Sequence, residues 1–343
     1  MKKHAIIPVF IPHRGCPNDC VFCNQKVITA RQPQVTEEDV RRTVDQYLST
    51  LKGSSVETIE LAFFGGSFTG IPMEEQREYL RVAKEYKDGG IIDKIHMSTR
   101  PDYIDEEVLD NLAAYGADVI ELGVQSFAPE VLQASDRGHS AEDIYRACDL
   151  IKAYGFELGI QLMIGLPEDS REKCIFSAKE TVRIGPSIAR LYPTIVIHDT
   201  ELEHMYRRGE YRPMTQEEAV SVTKDMYRII DGAGIKIIRV GLKSTDLVND
   251  GGLIKGNTYH PAFRQLVEGE MAREDLSSQL EALRAGRLEK GSRVTFLSSP
   301  SSFSNMVGNR RCNKIYFAEK YPDLNIRFGT DDHIEDGRYI VVV

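Results

Sequence analysis

Three features of the chain predict an α/β fold built on a parallel sheet. Short β-rich runs alternate with amphipathic helical segments from the start to about Glu270. Most of those runs are almost continuously apolar, as expected of parallel strands covered on one or both faces. The pattern then changes over the last 73 residues, which read as a separate small unit. Alternating β and α segments at this spacing imply right-handed crossovers, in a doubly wound sheet or in a full or partial (β/α) barrel. In either case the functional site forms at the carboxyl ends of the strands.

The first run, HAIIPVFI, follows two lysines at the N-terminus. As a signal peptide it is too short, carries Pro8 and Pro12, and leads to no small-residue cleavage site. It reads better as strand one. In TEEDVRRTVDQYLSTLKG, Thr36 is an N-cap with Asp39 at the third helical position. Val40, Val44, Tyr47, Leu48 and Leu51 then share a face. Further strands are read at TIELAFF, KIHMST, DVIELGV, FELGIQLMI and ARLYPTIVI, with IKIIRV as a possible seventh. Between the fourth and fifth, SAEDIYRACDLIKAYG begins with the cap Ser140. It places Ile144, Cys148 and Ile151 on one face and stops at Gly155. In the tail, a helix around SSQLEALRAG precedes the strand RVTFLSS, a helix near NRRCNKIYFAEKY, and the strand-like runs LNIRFG and RYIVVV. The expected division is residues 1–270 as the main domain and 271–343 as a small α/β extension.

The chain has 343 residues, a net charge of −9, 41% hydrophobic and 28% charged residues. This is the composition of an ordinary globular protein, and its acidity argues against a non-specific nucleic-acid or membrane-surface binder. No stretch approaches the ~18 apolar residues of a membrane helix, so the expected location is the cytoplasm with no membrane partner. There, clustered cysteines signal metal or redox chemistry. The tail is nearly balanced, with 11 Lys+Arg against 10 Asp+Glu, so the acidity belongs to the main domain.

Three of the six cysteines, Cys16, Cys20 and Cys23, fall in RGCPNDCVFCNQ directly after the first strand. Pro17, Asn18 and Asp19 supply a tight turn that lets the thiolates converge. Three readings are open. The thiolates hold three irons of a [4Fe–4S] cluster and leave one iron free. Alternatively His13 completes a closed Cys₃His zinc site, in a non-catalytic zinc-stabilised binding protein. Or these are reduced thiols in a loop. Cys148 lies on an apolar helix face, and Cys174 and Cys312 have no cysteine neighbour in sequence, so a second cluster is not expected.

CPNDCVFC after a first strand resembles the radical S-adenosylmethionine (radical SAM) superfamily, and FFGGSF from Phe63 to Phe68 resembles its glycine motif after strand two. ELGVQSF, DRGHSAEDI and GIQLMIGLPEDS resemble more narrowly the radical SAM core of the Elongator catalytic subunit and its short bacterial relatives. RPDYI, YRPMTQEEAV and HPAFRQLVEGE extend the likeness to about residue 270. The resemblance implies a partial (β/α)6 TIM-like barrel with a [4Fe–4S] cluster on Cys16, Cys20 and Cys23. The fourth ligand is then S-adenosylmethionine (SAM), which one electron from a donor such as flavodoxin or ferredoxin cleaves to a hydrogen-abstracting deoxyadenosyl radical.

By position, the resemblance also implies SAM contacts. Phe22 stands beside the adenine, and Gly65 and Gly66 admit the methionine amino group, with Ser67 adding a hydroxyl. Gln125 reaches the ribose or substrate, Arg137 the SAM carboxylate, and Met163, Gly165 and Glu168 form the adenine-contact region. Where Elongator-like sequences read Glu-Thr-Arg-Pro-Asp after strand three, this chain reads Ser98-Thr99-Arg100-Pro101-Asp102, leaving Ser98 a weaker contact.

The residues name the reagent better than the substrate. An acetyltransferase domain is not expected in a 73-residue tail, and the first two cysteines are closer than in the Elongator subunit. RNA modification remains a candidate, with Arg310, Arg311 and Lys314 as a small basic cluster in the tail, though the near-neutral tail favours a solvated helix start as the reading of that cluster. The alternative is a radical oxidase or decarboxylase acting on a small porphyrin-like molecule, for which no residue pattern speaks.

Overall fold

A computed structural model describes residues 4–11, 16, 20–23, 35–242, 258–285 and 288–343. Seven parallel strands follow chain order: β1 (His4–Ile11), β2 (Thr58–Gly65), β3 (Lys94–Thr99), β4 (Val119–Gln125), β5 (Glu157–Ile164), β6 (Ile188–Pro193) and β7 (Lys236–Val240). The possible seventh strand thus joins the sheet, pairing parallel to β6. The sheet is curled into an open half-barrel, and β1 and β7 have no partner strand beyond β2 and β6 among the described residues.

Thr36 and Ser140 cap their helices in reciprocal boxes with Asp39 and Asp143, as the local sequence predicts. The helices cover one face of the sheet. Ile7, Leu61, Ile95, Met97, Ile120, Leu122, Ile160 and Leu191 point toward them and form the main core. The opposite face is not apolar: it carries Glu60, His96, Glu121 and Arg190, all buried. In β3 the alternation is plain, with Ile95 and Met97 in the core while His96 and Ser98 face the barrel interior.

A 22-residue helix, Phe263–Arg284, leaves the barrel and enters the extension. Phe263 and Val267 belong to the main core, whereas Ala272, Leu276 and Leu280 belong to a second core with Phe296, Phe317 and Tyr339. Residue 270 therefore falls inside one continuous helix. The extension adds a three-stranded sheet of β8 (Arg293–Ser298), β9 (Asn325–Thr330) and β10 (Tyr339–Val342), with β8 central.

Candidate functional site

The carboxyl ends of β1–β7 surround a cavity of about 700 Å³. Cys16, Cys20 and Cys23 border it, as do Phe22, Gly65, Gly66, Ser98, Gln125 and Arg137. The cysteine segment is pinned from both sides: the Val21 amide donates to the Ser135 carbonyl at 3.2 Å, and the Leu202 amide donates to the Val21 carbonyl at 2.7 Å. Cys20 is buried, and Arg137 Nη1 lies 3.1 Å from its sulfur, with Arg100 Nη1 at 4.0 Å. Burial pushes the Cys16 thiol up, and the nearby Arg100 guanidinium opposes that push.

The first glycine of the FFGGSF segment is dictated by its neighbours. Gly65 has φ +122°, and a Cβ there would sit 2.2 Å from the Ile11 carbonyl oxygen of the paired strand. Ser67 faces the other way. It is buried, its hydroxyl lies 2.8 Å from the Thr99 hydroxyl, and it accepts the Arg100 amide at 3.2 Å. Its observed work is to tie the glycine turn to the end of β3, and it does not line the main cavity.

Arg100 forms a fork with Asp102, with both bonds at 2.9 Å, and also donates to the Arg137 carbonyl. Burial first, and then the Arg137 charge, push His139 down to about 3, so it is neutral beside the two guanidiniums. Arg137 is held further by a 2.7 Å bond to the Gly123 carbonyl.

Gln125 ends β4 at φ +69°, a conformation costly for a residue with a Cβ. A β-bulge between Leu122 and Gln125 produces it, and the Gln125 side-chain carbonyl accepts from Gln161 Nε2 at 3.2 Å. Met163 and Phe22 both pack against a small cluster of Ala128, Val131 and Leu166. The Gly165 amide donates to Asp169 at 2.8 Å, and its carbonyl accepts from the Tyr211 hydroxyl at 2.6 Å. Glu168 is exposed at φ +60°. None of these last three lines the cavity. His13 lies outside the described residues.

Lower in the barrel the structure assembles residues that motif reading passed over. Glu121 stands 2.7 Å from Arg190 Nε, 3.3 Å from the Ser98 hydroxyl and 3.8 Å from His96 Nε2. Glu60 pairs with His4 at 3.0 Å and His96 at 3.3 Å. Arg190 donates to the Tyr192 hydroxyl at 3.2 Å and lies 5.0 Å above the Phe64 ring. Glu121 therefore puts a carboxylate beside Ser98. The available signal was a lone charged or titratable residue inside strands that otherwise read as apolar: Glu60, His96, Glu121 and Arg190.

Two family descriptions match this chain in succession, the radical SAM superfamily over residues 10–179 and the radical SAM C-terminal domain over residues 186–273. The chain belongs to the radical SAM superfamily. It is 30% identical over 260 residues to the tRNA uridine(34) acetyltransferase of Methanocaldococcus infernus, covering 64% of this chain and 48% of that protein. It is 24% identical over 354 aligned positions to the Elongator complex protein 3 of Mus musculus, covering 86% of this chain and 64% of that one. The archaeal Methanocaldococcus infernus Elp3 with an N-terminal deletion shares the fold at a TM-score of 0.61 and 25% identity, covering 80% of this chain and 64% of that one. The chain thus spans about half the length of the first of these relatives.

Radical SAM proteins work with a [4Fe–4S] cluster and SAM, and the residues present suit both. Three thiols border one cavity, and among the described residues no three His, Cys, Asp or Glu side chains converge on a single-ion site. A cluster does not require that convergence, because each thiolate binds a different iron. The glycine turn, which only a residue without a Cβ can make, opens onto the same cavity.

Proposed function

We propose that the chain is a radical SAM enzyme that acts on RNA, with Cys16, Cys20 and Cys23 holding the cluster and SAM lying between Gly65–Gly66 and Arg137. The observation that carries this reading is the meeting of three thiols, the glycine turn and Arg137 around one cavity. When bound, the cluster and SAM supply a hydrogen-abstracting radical, with the electron coming from a donor of the flavodoxin or ferredoxin kind. The chain's own residues do the rest. Arg137 offers a guanidinium to a carboxylate and one charge-assisted donor to the Cys20 sulfur. Gly65 and Gly66 admit a ligand to hydrogen-bonding distance of the backbone. Ser67 keeps that turn rigid through Thr99 and Arg100. Phe22 stacks beside the base of the ligand, and Glu121 and Ser98 accept from its hydroxyls or amine. Met163 packs against the same small cluster as Phe22, and Gly165 and Glu168 shape the turn after β5.

RNA is favoured because the relatives that share this core are named for tRNA uridine modification. In the extension, Arg310, Arg311 and Lys314 are exposed and make no ion pair with a described carboxylate. By contrast Arg273, Arg284 and Arg338 are each paired. Unpaired cations cost no broken ion pair when they meet a phosphate backbone. The division near residue 270 then separates a chemical domain from an RNA-docking extension. The reading also places the enzyme in the cytoplasm, where its thiols stay reduced; among the described residues no helix is long and apolar enough to cross a membrane.

Anaerobic reconstitution with iron and sulfide tests the chemistry. A brown protein that bleaches with dithionite and releases deoxyadenosine from SAM supports it; a colourless protein with stoichiometric zinc defeats it. RNA binding that does not weaken with salt, or does not depend on Arg310 and Arg311, defeats the substrate assignment.

A further inference from the structure

The strand register is irregular at two places, in β4 before Gln125 and at the pairing of β6 with β7. Along β6 and β7, Ala189 pairs with Ile237, but the next residue, Arg190, pairs with Arg239. Ile238 is therefore an extra residue. Without it, Arg239 would share the helix-covered face with Ile237; with it, Arg239 lines the cavity. A bulge that re-aims one side chain into a cavity is a feature of functional sites.

The charges of the cavity wall are otherwise matched. Arg190 faces Glu121, Arg100 is forked onto Asp102, and Arg137 stands against the Cys20 sulfur. Arg239 is different. Its Nε makes one long 3.4 Å bond to the Gly241 carbonyl of its own chain, and its terminal nitrogens meet no described acceptor. Near it, the Tyr192 hydroxyl accepts from Arg190, so its own proton is available for a ligand.

We propose that Arg239 and Tyr192 form an oxyanion subsite on the β6–β7 side of the cavity, which seats a phosphate or carboxylate group of the substrate opposite the cysteines. The inference rests on the cavity being the reaction site, and it adds a chemical requirement to the substrate: an anionic group placed to be gripped while another part of the molecule faces the radical. A guanidinium fork and a phenolic donor suit either oxyanion. In RNA the group is a phosphate of the target nucleotide; in a small metabolite it is a carboxylate.

The test is ligand-observed NMR on the reconstituted holoprotein, with inorganic phosphate and acetate as separate probes at constant ionic strength. The wild type should bind at least one. Arg239→Gln should weaken that binding by about tenfold or more, and Arg239→Lys by less, because it keeps the charge and loses the fork. Tyr192→Phe should weaken it by a few-fold and covers the case in which Arg239→Gln fails to fold, judged by thermal melting. Arg239-dependent binding of phosphate alone supports a nucleotide source, and of acetate alone a carboxylate source. No binding of either probe, or binding untouched by all three substitutions, overturns the subsite. Deoxyadenosine release by the wild type is scored separately. Its absence overturns the radical SAM reading of this chain and leaves the subsite to be decided by the NMR result.

Discussion

The two walls of the cavity are built by different rules. The β1–β3 wall is made of residues grouped closely in sequence at or just past strand ends: Cys16, Cys20, Phe22 and Cys23, then Gly65 and Gly66, then Ser98 to Arg100. The β4–β7 wall is made of isolated side chains within strands: Glu121, Gln125, Gln161, Arg190, Tyr192 and Arg239. Under the proposed function the first wall meets the cofactor and draws on short local segments, whereas the second meets the substrate and draws on positions far apart in the chain. The difference teaches where to look for specificity in this fold, and mutation can break it wall by wall.

The largest effect should come from the cysteine wall. Cys20→Ala removes one cluster ligand and the sulfur that Arg137 faces at 3.1 Å. Iron content and visible absorbance after reconstitution should collapse, and deoxyadenosine release from SAM should fall below detection, since the chemistry is the cofactor's and the cluster is its holder. A Cys20→Ala protein that retains full iron and normal deoxyadenosine release would show that this wall does not hold the cluster.

Next comes the glycine turn. Gly65→Ala would place a Cβ 2.2 Å from the Ile11 carbonyl oxygen at φ +122°. Backbone must move on both β1 and β2, at a cost of roughly 2–4 kcal/mol. The melting temperature should drop by several degrees, and SAM binding should weaken in protein that remains folded. Unchanged melting would mean that the turn is looser than the strand register shows.

The β4–β7 wall should respond through its buried charges. Glu121 is 2% exposed and Arg190 9% exposed, so Glu121→Gln strands a buried guanidinium. Removing one partner of such a pair costs on the order of 3 kcal/mol. The double substitution Glu121→Leu with Arg190→Met should recover most of that loss, because no unpaired charge remains. Urea unfolding of Glu121→Leu, Arg190→Met and their double closes the cycle. Additive losses would mean that the pair is not a unit, and the contrast between the walls would then be one of position only.

The same contrast explains what was legible in the sequence. The parallel α/β fold followed from alternating periods and from caps such as Thr36 and Ser140, which act within a few residues. Cys16, Cys20, Cys23, Gly65 and Gly66 were legible because the chemistry needs them close together in the chain. Gln125, which ends β4, was legible only through the resemblance; its positive φ accompanies a bulge that local sequence does not specify. Arg239 was hidden for a stronger reason. Strict alternation through IKIIRV puts it on the face of Ile237, and only the register slip against β6 turns it inward. Ser67 shows the converse: a motif residue next to the ligand-facing glycines whose hydroxyl is engaged by Thr99 and Arg100.

The smallest effect concerns a buried carboxylate on the β1–β3 side, Glu60 between His4 and His96. Burial tends to raise the Glu60 carboxyl, but the hydrogen bond from His96, reinforced by the charges of His96 and His4, outweighs it and holds Glu60 below its ordinary 4.5. A carboxyl with a lowered folded-state pKa adds stability that is present above its unfolded value. That stability is lost as pH falls through the folded one. Melting curves from pH 6 down to about 3 should therefore show a decline in which Glu60→Gln takes a smaller part than the wild type, with the two converging at the acid end. The β1 partner provides the sharper comparison. His4→Gln removes one of the two histidines, 3.0 Å away, and leaves the 3.3 Å contact with His96 on β3. If His96 is the principal partner, His4→Gln should move the acid limb less than His96→Gln does. The reverse order would shift the anchor of Glu60 from the β3 side of the barrel to its open β1 edge.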